Sequence, residues 1–293
     1  MRENREKTGS VEAFTTNWKT RNESKRNHFK RGEPANQIQF AFQNHWRVFK
    51  RLLGNTTTGR VLEVGAGRGS MSAFFADAGF DVSLLDTSYD VLKIAESNFR
   101  EDQLHASYIC GDALHLPYSD YTFDAVLSIG LFEHFSEMKQ PLDEQLRILK
   151  PGGLFLGYIV PERFFSAQLL ALPLNAVLSG MHQLYQLVSS SNKDGNSPAK
   201  EPLFRNSYTS AEYLKILNQL DVDDCGSFGM FPVPLVSHSY RFPFSLMHPV
   251  LERSLVKVWR LVFSLQGRKQ DPWICSEGWG LAFLVWARRK ENP

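Results

Sequence analysis

From Gly59 onward the apolar positions alternate between two periods. Arg60 to Val64 is a short apolar run ended by Gly65, and Val82 to Leu85 is another, ended by Asp86. Ser107 to Cys110, Phe123 to Ser128 and Leu154 to Val160 read as strands for the same reason. Between them, Ser70 to Ala78 is helical, and Ser88 to Phe99 carries Val91, Leu92, Ile94, Ala95 and Phe99 at helical spacing. A further helix, Pro141 to Leu149, precedes the turn Lys150-Pro151-Gly152-Gly153. Farther along, Thr209-Ser210-Ala211-Glu212 has the spacing of a capping box and opens a helix over Ala211 to Leu220. Strands near Cys225 to Met230 and from Gly280 to Ala287 follow. Strands alternating with helices predict an α/β fold: a doubly wound, mostly parallel sheet of about seven strands covered on both faces.

The pattern divides the chain into an amino-terminal helical arm (1–54), the first half of the sheet (55–161), an insertion (162–208) and a carboxyl-terminal part (209–293). In the arm, Ile38, Phe42, Trp46 and Phe49 recur at helical spacing and predict a packed face. The insertion contains 29 consecutive residues, 164 to 192, without Asp, Glu, Lys or Arg. That length would permit a bilayer span, which needs about 20 apolar residues. Gln168, Pro173, Asn175, His182, Gln183 and Gln186 interrupt it, so helices forming a lid over an apolar pocket are expected instead. Phe164, Phe165, Met181 and Tyr185 are the candidate lining residues. A later helix, Pro249 to Gln266, sets Leu251, Leu255, Val258, Trp259 and Val262 against Arg253, Lys257, Arg260 and Ser264. Its pattern is that of core packing in the first place, with peripheral contact with a membrane surface, through this helix or the lid, as the second reading.

Composition adds limits. The 293 residues carry a net charge of +2, which argues against general nucleic-acid binding. The total conceals a division: +7 over residues 1–53, −8 over 54–150 and +3 over 151–293. Three cysteines at wide spacing fit neither a disulfide framework nor a metal site, and the amino terminus begins with charges where a signal peptide needs an apolar run. A cytoplasmic protein with no metal is the expectation.

The chemistry concentrates in Val61 to Ser88. A buried strand enters Gly65, Gly67 and Gly69, where backbone must turn tightly and approach a ligand. The next strand ends 17 residues after Gly69 at Asp86, placed for its carboxylate to accept from ribose hydroxyls. A dinucleotide loop would need glycine where Ser70 stands, and Glu63 is a poor neighbour for a diphosphate but an acceptable one for a cation.

These residues resemble the class I S-adenosylmethionine-dependent methyltransferases, in particular the small-molecule group that includes the ubiquinone and menaquinone enzymes. The resemblance runs from about Gly59 to Gly157 and implies a Rossmann-like fold, S-adenosyl-L-methionine as cofactor and a small-molecule methyl acceptor. Glu63-Val64-Gly65-Ala66-Gly67-Arg68-Gly69 matches the family's first motif, against the methionine portion of the cofactor. Asp86 matches the ribose-binding acid and Gly111-Asp112-Ala113-Leu114 the adenine motif. Asp124 to Ser128 matches the fourth strand and Leu149 to Gly153 the turn before the fifth. Val64 and Thr87 would flank the adenosine, and Ile129 and Gly130 would touch the cofactor through backbone. Glu63 is either a cofactor contact or a ligand for loop N–H groups, and Asp124 reads as structural.

Methyl transfer from a sulfonium needs orientation, exclusion of water and, for a hydroxyl or acidic carbon, a base. The candidate base is His134, in Leu131-Phe132-Glu133-His134-Phe135, with pocket shaping as its alternative role. Arms before the first motif commonly fold over the cofactor in this family, which makes Arg31, Gln37 and His45 candidate contacts to its carboxylate or to the acceptor. Arg205 and Tyr208 would hold a polar part of the acceptor or merely anchor a loop. The predicted function is methyl transfer to an O, N or C atom of a small lipophilic or aromatic metabolite. The alternatives are a non-catalytic binding protein on the same fold and a nicotinamide-dependent oxidoreductase.

Overall fold

The structure, a computed structural model, describes residues 28–162, 167–188, 204–237, 247–265 and 271–291. In chain order the elements are α1 (Gln37–Leu53), β1 (Arg60–Val64), α2 (Ser72–Asp77), β2 (Asp81–Asp86), α3 (Tyr89–Glu101), β3 (Ser107–Cys110) and β4 (Phe123–Ile129). They continue as α4 (Lys139–Arg147), β5 (Leu149–Ile159), α5 (Leu172–Val188), α6 (Ser210–Leu217), β6 (Val222–Met230), α7 (Pro249–Leu265), β7 (Ile274–Cys275) and β8 (Ala282–Arg289). The sheet order is β3-β2-β1-β4-β5-β8-β6-β7. β1 to β5 pair in parallel, while β8 runs antiparallel to both β5 and β6. The doubly wound α/β sheet is as expected. It has eight strands among the described residues, the extra one being the two-residue edge β7.

Alternate strand residues face opposite layers, so Val61, Leu84 and Leu127 join one core with Phe49, Phe75 and Phe99. Leu62, Leu85 and Val126 join another with Leu142, Tyr213 and Leu217. α1, α2, α3 and α7 cover the first face, and α4 and α6 the second.

The crossover from β1 to β2 puts the turn after β1 and the end of β2 side by side at the carboxyl edge of the sheet, where open α/β sheets bind ligands. Asp124 holds that sheet from its other end. Its carboxylate accepts from the Arg60 N–H at 2.8 Å and from Lys150 Nζ at 2.8 and 2.9 Å. Burial opposes ionisation there, but the Lys150 ammonium and the Arg60 N–H hold the Asp124 carboxyl below its ordinary range. Its role is structural, and it explains Lys150, which lies at the start of β5 rather than in a turn before it.

One helix widens its sequence pattern and another turns away from it. In α1 the buried face is Phe40, Ala41, Asn44, His45, Val48 and Phe49, with Phe42 and Trp46 of the expected face packed partly buried on the same core. An aromatic cluster decides this: Phe40 stacks on Phe263 at 5.8 Å and meets Trp273 edge-on at 5.9 Å. In α7 the inward face is Glu252, Val256, Trp259 and Phe263, which leaves Leu251 and Val258 outside. Trp259 and Phe263 both pack on Phe231, at 5.7 and 5.1 Å. The capping-box carboxylate is in place at the start of α6, where Glu212 accepts from the Thr209 N–H at 2.7 Å.

Candidate functional site

The loop after β1 is built by backbone. The N–H groups of Gly65 and Ala66 both donate to Leu85 O, at 2.8 and 3.0 Å, so the chain continues against β2 before it turns. Gly69 has φ +68°, and a side-chain carbon there would lie 2.4 Å from Leu84 Cδ2 and 2.8 Å from Phe99. Glycine is required twice over at that point, by conformation and by space. Gly65, at φ +68°, is packed in the same way against Leu131.

The acids flanking this loop have separate tasks. Glu63 is buried and accepts from the Ser72 N–H at 3.0 Å, at the start of α2. Burial pushes its carboxyl up to about 7, against the opposing Ser72 bonds and with help from the charge of Asp86. The structure shows the second of the two roles read from sequence, that of a ligand for backbone N–H, made here to the first residue of α2. Asp86 accepts from the N–H of Gly67 at 3.0 Å and of Ser88 at 2.9 Å, clasping the glycine turn to the end of β2. Burial raises its carboxyl above the usual range in spite of those bonds. Asp112, after β3, is half exposed, and one of its oxygens accepts from the Leu114 N–H at 2.9 Å. Val64, Ala66 and Ala113 are buried around these acids, Gly111 and Leu114 are half-buried, and Thr87 is exposed. Ile129 ends β4, and the N–H of Gly130 donates to Tyr158 O at 2.8 Å, tying the ends of β4 and β5 together.

The structure therefore brings Gly65, Gly67, Gly69, Asp86, Asp112 and Gly130 to one edge. Together they offer carboxylate acceptors at two adjacent strand ends and close backbone approach at a third. This donor and acceptor set fits an adenosine with a cationic sulfur better than a pyrophosphate. Among the described residues no group of three His, Cys, Asp or Glu could hold a metal ion.

His134 lies in a 3-10 turn, Phe132–His134, just beyond β4. Asn206 pins that turn, donating to Phe132 O and Phe135 O at 2.9 Å each, while its own N–H meets Glu133 O at 2.7 Å. His134 Nδ1 is 2.7 Å from Phe204 O, a carbonyl that only accepts, so Nδ1 carries the proton. Burial pushes the imidazole down to about 4. Beside it is a residue that the sequence reading passed over. Glu133 is buried, its Oε2 has no hydrogen-bond partner, and its Oε1 lies 3.4 Å from where a side chain on Gly130 would begin. Burial pushes this carboxyl up to about 7, against its bonds from its own N–H and that of Val160. An acidic residue inside an otherwise aromatic run was the available signal.

The arm residues separate. His45 is buried near the carboxyl end of β5, 4.8 Å from the Tyr158 ring, and its Nδ1 accepts from Trp273 Nε1 at 2.9 Å. The indole can only donate, so His45 keeps its proton on Nε2, and burial pushes it down to about 3, leaving it neutral. Gln37 is corrected from ligand contact to scaffold: its amide donates to Val236 O and accepts from Trp259, and its N–H is held by Glu252. Arg31 is corrected more strongly. It binds Asp77 Oδ1 at 2.6 Å and Asp102 O at 2.8 Å, at the carboxyl ends of α2 and α3. Those helices run antiparallel to the strands, so Arg31 sits at the edge of the sheet opposite the glycine loop.

Among the acceptor candidates, Met181 is largely exposed on α5. Tyr208 gives its hydroxyl to Ser136 O at 3.1 Å, which makes it a loop anchor. Arg205 is half-buried, and its charge acts on both Glu133 and His134. Phe164 and Phe165 lie outside the described residues, as does the side chain of Tyr185.

Residues 62–157 match the family described as methyltransferase domain. A demethylmenaquinone methyltransferase of Renibacterium salmoninarum is 47% identical over 95 residues, which cover 32% of this chain and 38% of that protein. The chain thus spans well under half the length of that curated relative. The crystal structure of the YcgJ protein from Bacillus subtilis aligns with 85% of this chain and 100% of its own at 16% identity, with a TM-score of 0.51. The [4+2]-cyclase SpnF aligns with 91% of this chain and 87% of its own at 17% identity, TM-score 0.50. Over residues 62–157 the cofactor half is thus similar to methyltransferase domains, in the segment where its motifs lie. At such low identity the structural likenesses establish the fold, and a cyclase among them illustrates that this fold hosts more than one reaction.

Proposed function

We propose that this chain is an S-adenosylmethionine-dependent methyltransferase acting on a small lipophilic or aromatic acceptor. One observation carries the reading: the Asp86 carboxylate, clasped by the N–H groups of Gly67 and Ser88 at the edge where Asp112 and Gly130 also lie. Asp86 would hold the ribose through its remaining lone pairs, Asp112 the adenine amine, and the Gly65–Gly69 backbone the methionine portion. The bound cofactor would supply an electrophilic methyl on a cationic sulfur. The chain's own work is then to orient the acceptor, keep water out and hold a proton.

Glu133 suits the proton better than His134. An imidazole pushed down to about 4 is neutral at pH 7 but holds a proton poorly, while a carboxyl pushed up to about 7 takes and releases one near neutrality. The unpartnered Oε2 supplies the lone pair, and the oriented His134 shapes the wall beside it.

Calorimetry with S-adenosylhomocysteine and with NADH tests the cofactor. The proposal expects binding of the first only, weakened at least about tenfold in Asp86→Asn, the loss of one charge-assisted contact. Binding of NADH instead, or no effect of the substitution, would overturn it. Formation of S-adenosylhomocysteine with phenols, quinols and amines tests the reaction. For a hydroxyl acceptor, kcat should fall by about 10²-fold or more in Glu133→Gln and much less in His134→Gln.

A further inference from the structure

Among the described residues, the outer faces of α7 and α5 are apolar and exposed. On α7, Val250, Val258, Leu261 and Leu265 are between 53% and 75% exposed, on an arc turned away from the packed Val256 and Trp259. Arg253 and Lys257 form an exposed basic flank beside that arc, continued by Arg260, which is paired with the exposed Glu33 of the arm. The helix's one acid, Glu252, is buried and accepts from the N–H groups of Gln37 and Met247. On α5, which carries no charged residue, Leu170 in the turn before it, then Val177, Met181 and Leu184, make a second exposed stripe at helical spacing. Asn175, on the opposite face, is buried and clamps Leu235 O and the Ser237 N–H, each at 2.9 Å. Gln37, which Glu252 holds, binds Val236 O. Both helices are therefore anchored on one short strap, 235–237.

We infer that the outer faces of α7 and α5 form a surface that seats on an anionic lipid bilayer. Charge decides the occupant. An apolar arc with basic residues along its side, and no exposed acid on either helix, matches negatively charged headgroups over a shallow hydrocarbon layer. A second copy of this chain docked face to face would bring one basic flank toward another, because a two-fold contact joins the same patch to itself. Spanning is not needed: among the described residues no helix is long and apolar enough to cross a membrane. The inference adds a surface to the molecule and stands whether or not the proposed reaction does.

Flotation of the full chain with phosphatidylcholine vesicles, with and without phosphatidylglycerol, tests it at about 0.05 and 0.15 M salt. The chain should float with the anionic vesicles and less so at the higher salt. Arg253→Ala with Lys257→Ala should lower partitioning about tenfold or more, at roughly fivefold per basic residue. Val258→Asp with Leu261→Asp should abolish it while the thermal melt stays that of the parent. No flotation on anionic vesicles, equal flotation on neutral ones, or flotation indifferent to both double variants would each overturn the inference. So would a dimer by sedimentation, lost in the aspartate variant, in a chain that ignores vesicles.

Discussion

The cofactor edge and its cover obey different rules. At the edge, the loop contacts are made by backbone or by carboxylates at or within two residues of a strand end, as with Asp86 and the N–H of Ser88. In the cover, α1, α5 and α7 are held by contacts 60 to over 200 residues apart in sequence, such as Asn175 to Leu235 and Gln37 to Trp259. Local geometry needs particular residues at fixed spacing, whereas a covering helix needs only enough apolar surface, and the surrounding fold selects which side is used.

The sharpest break of this contrast is Gly69→Ala. A side-chain carbon at φ +68° and 2.4 Å from Leu84 Cδ2 combines backbone strain with overpacking. A loss of about 2–5 kcal/mol is expected, with cofactor binding lost as well, read by denaturant unfolding and calorimetry. Full stability in that variant would contradict the described loop. Next come two neighbours in α7. Trp259→Ala should cost about 3 kcal/mol, since Trp259 packs on Phe231 and donates to Gln37, while Val258→Ala should stay within about 0.5 kcal/mol. Equal costs would show that α7 is turned differently.

The smallest effect is pH-dependent. Burial raises Glu133 from 4.5 to about 7, so the folded state binds its proton more tightly than the unfolded state does. The stabilisation from that neutral carboxyl is complete below pH 4.5 and is lost as pH rises through 7, by at most about 3 kcal/mol. Glu133→Gln should therefore flatten the decline in stability between pH 5 and 8 to the part left by Glu63, which shares the same direction. An unchanged slope in chemical denaturation would show that Glu133 is already ionised and solvated.

Charge division along the chain also acquires a physical meaning. Glu63, Asp86, Asp112 and Glu133 all belong to the segment of net charge −8, and burial or loop N–H groups engage each of them at the carboxyl edge. The basic arm does not neutralise that edge as a unit, since Arg31 pairs with Asp77 at the opposite one and Arg47 with Asp271.

The sequence by itself determined the order of strands and helices through β5, the glycine turn, Asp86, Asp112 and the capping acid of α6. These are short-range matters, in which period, φ > 0 and a hydrogen bond to the next turn fix the residue type. Only the tertiary structure shows that Glu63 meets the backbone N–H of Ser72, that Gln37 ties α1 to the strap and that Arg31 pairs with Asp77. It likewise decided that Glu133 is buried with an oxygen to spare and that Val258 and Met181 face outward. An apolar or polar side chain in the pattern does not name its partner. That choice depends on which surfaces remain uncovered once the sheet has formed, and here Phe231, Trp273 and the strap at 235–237 made it.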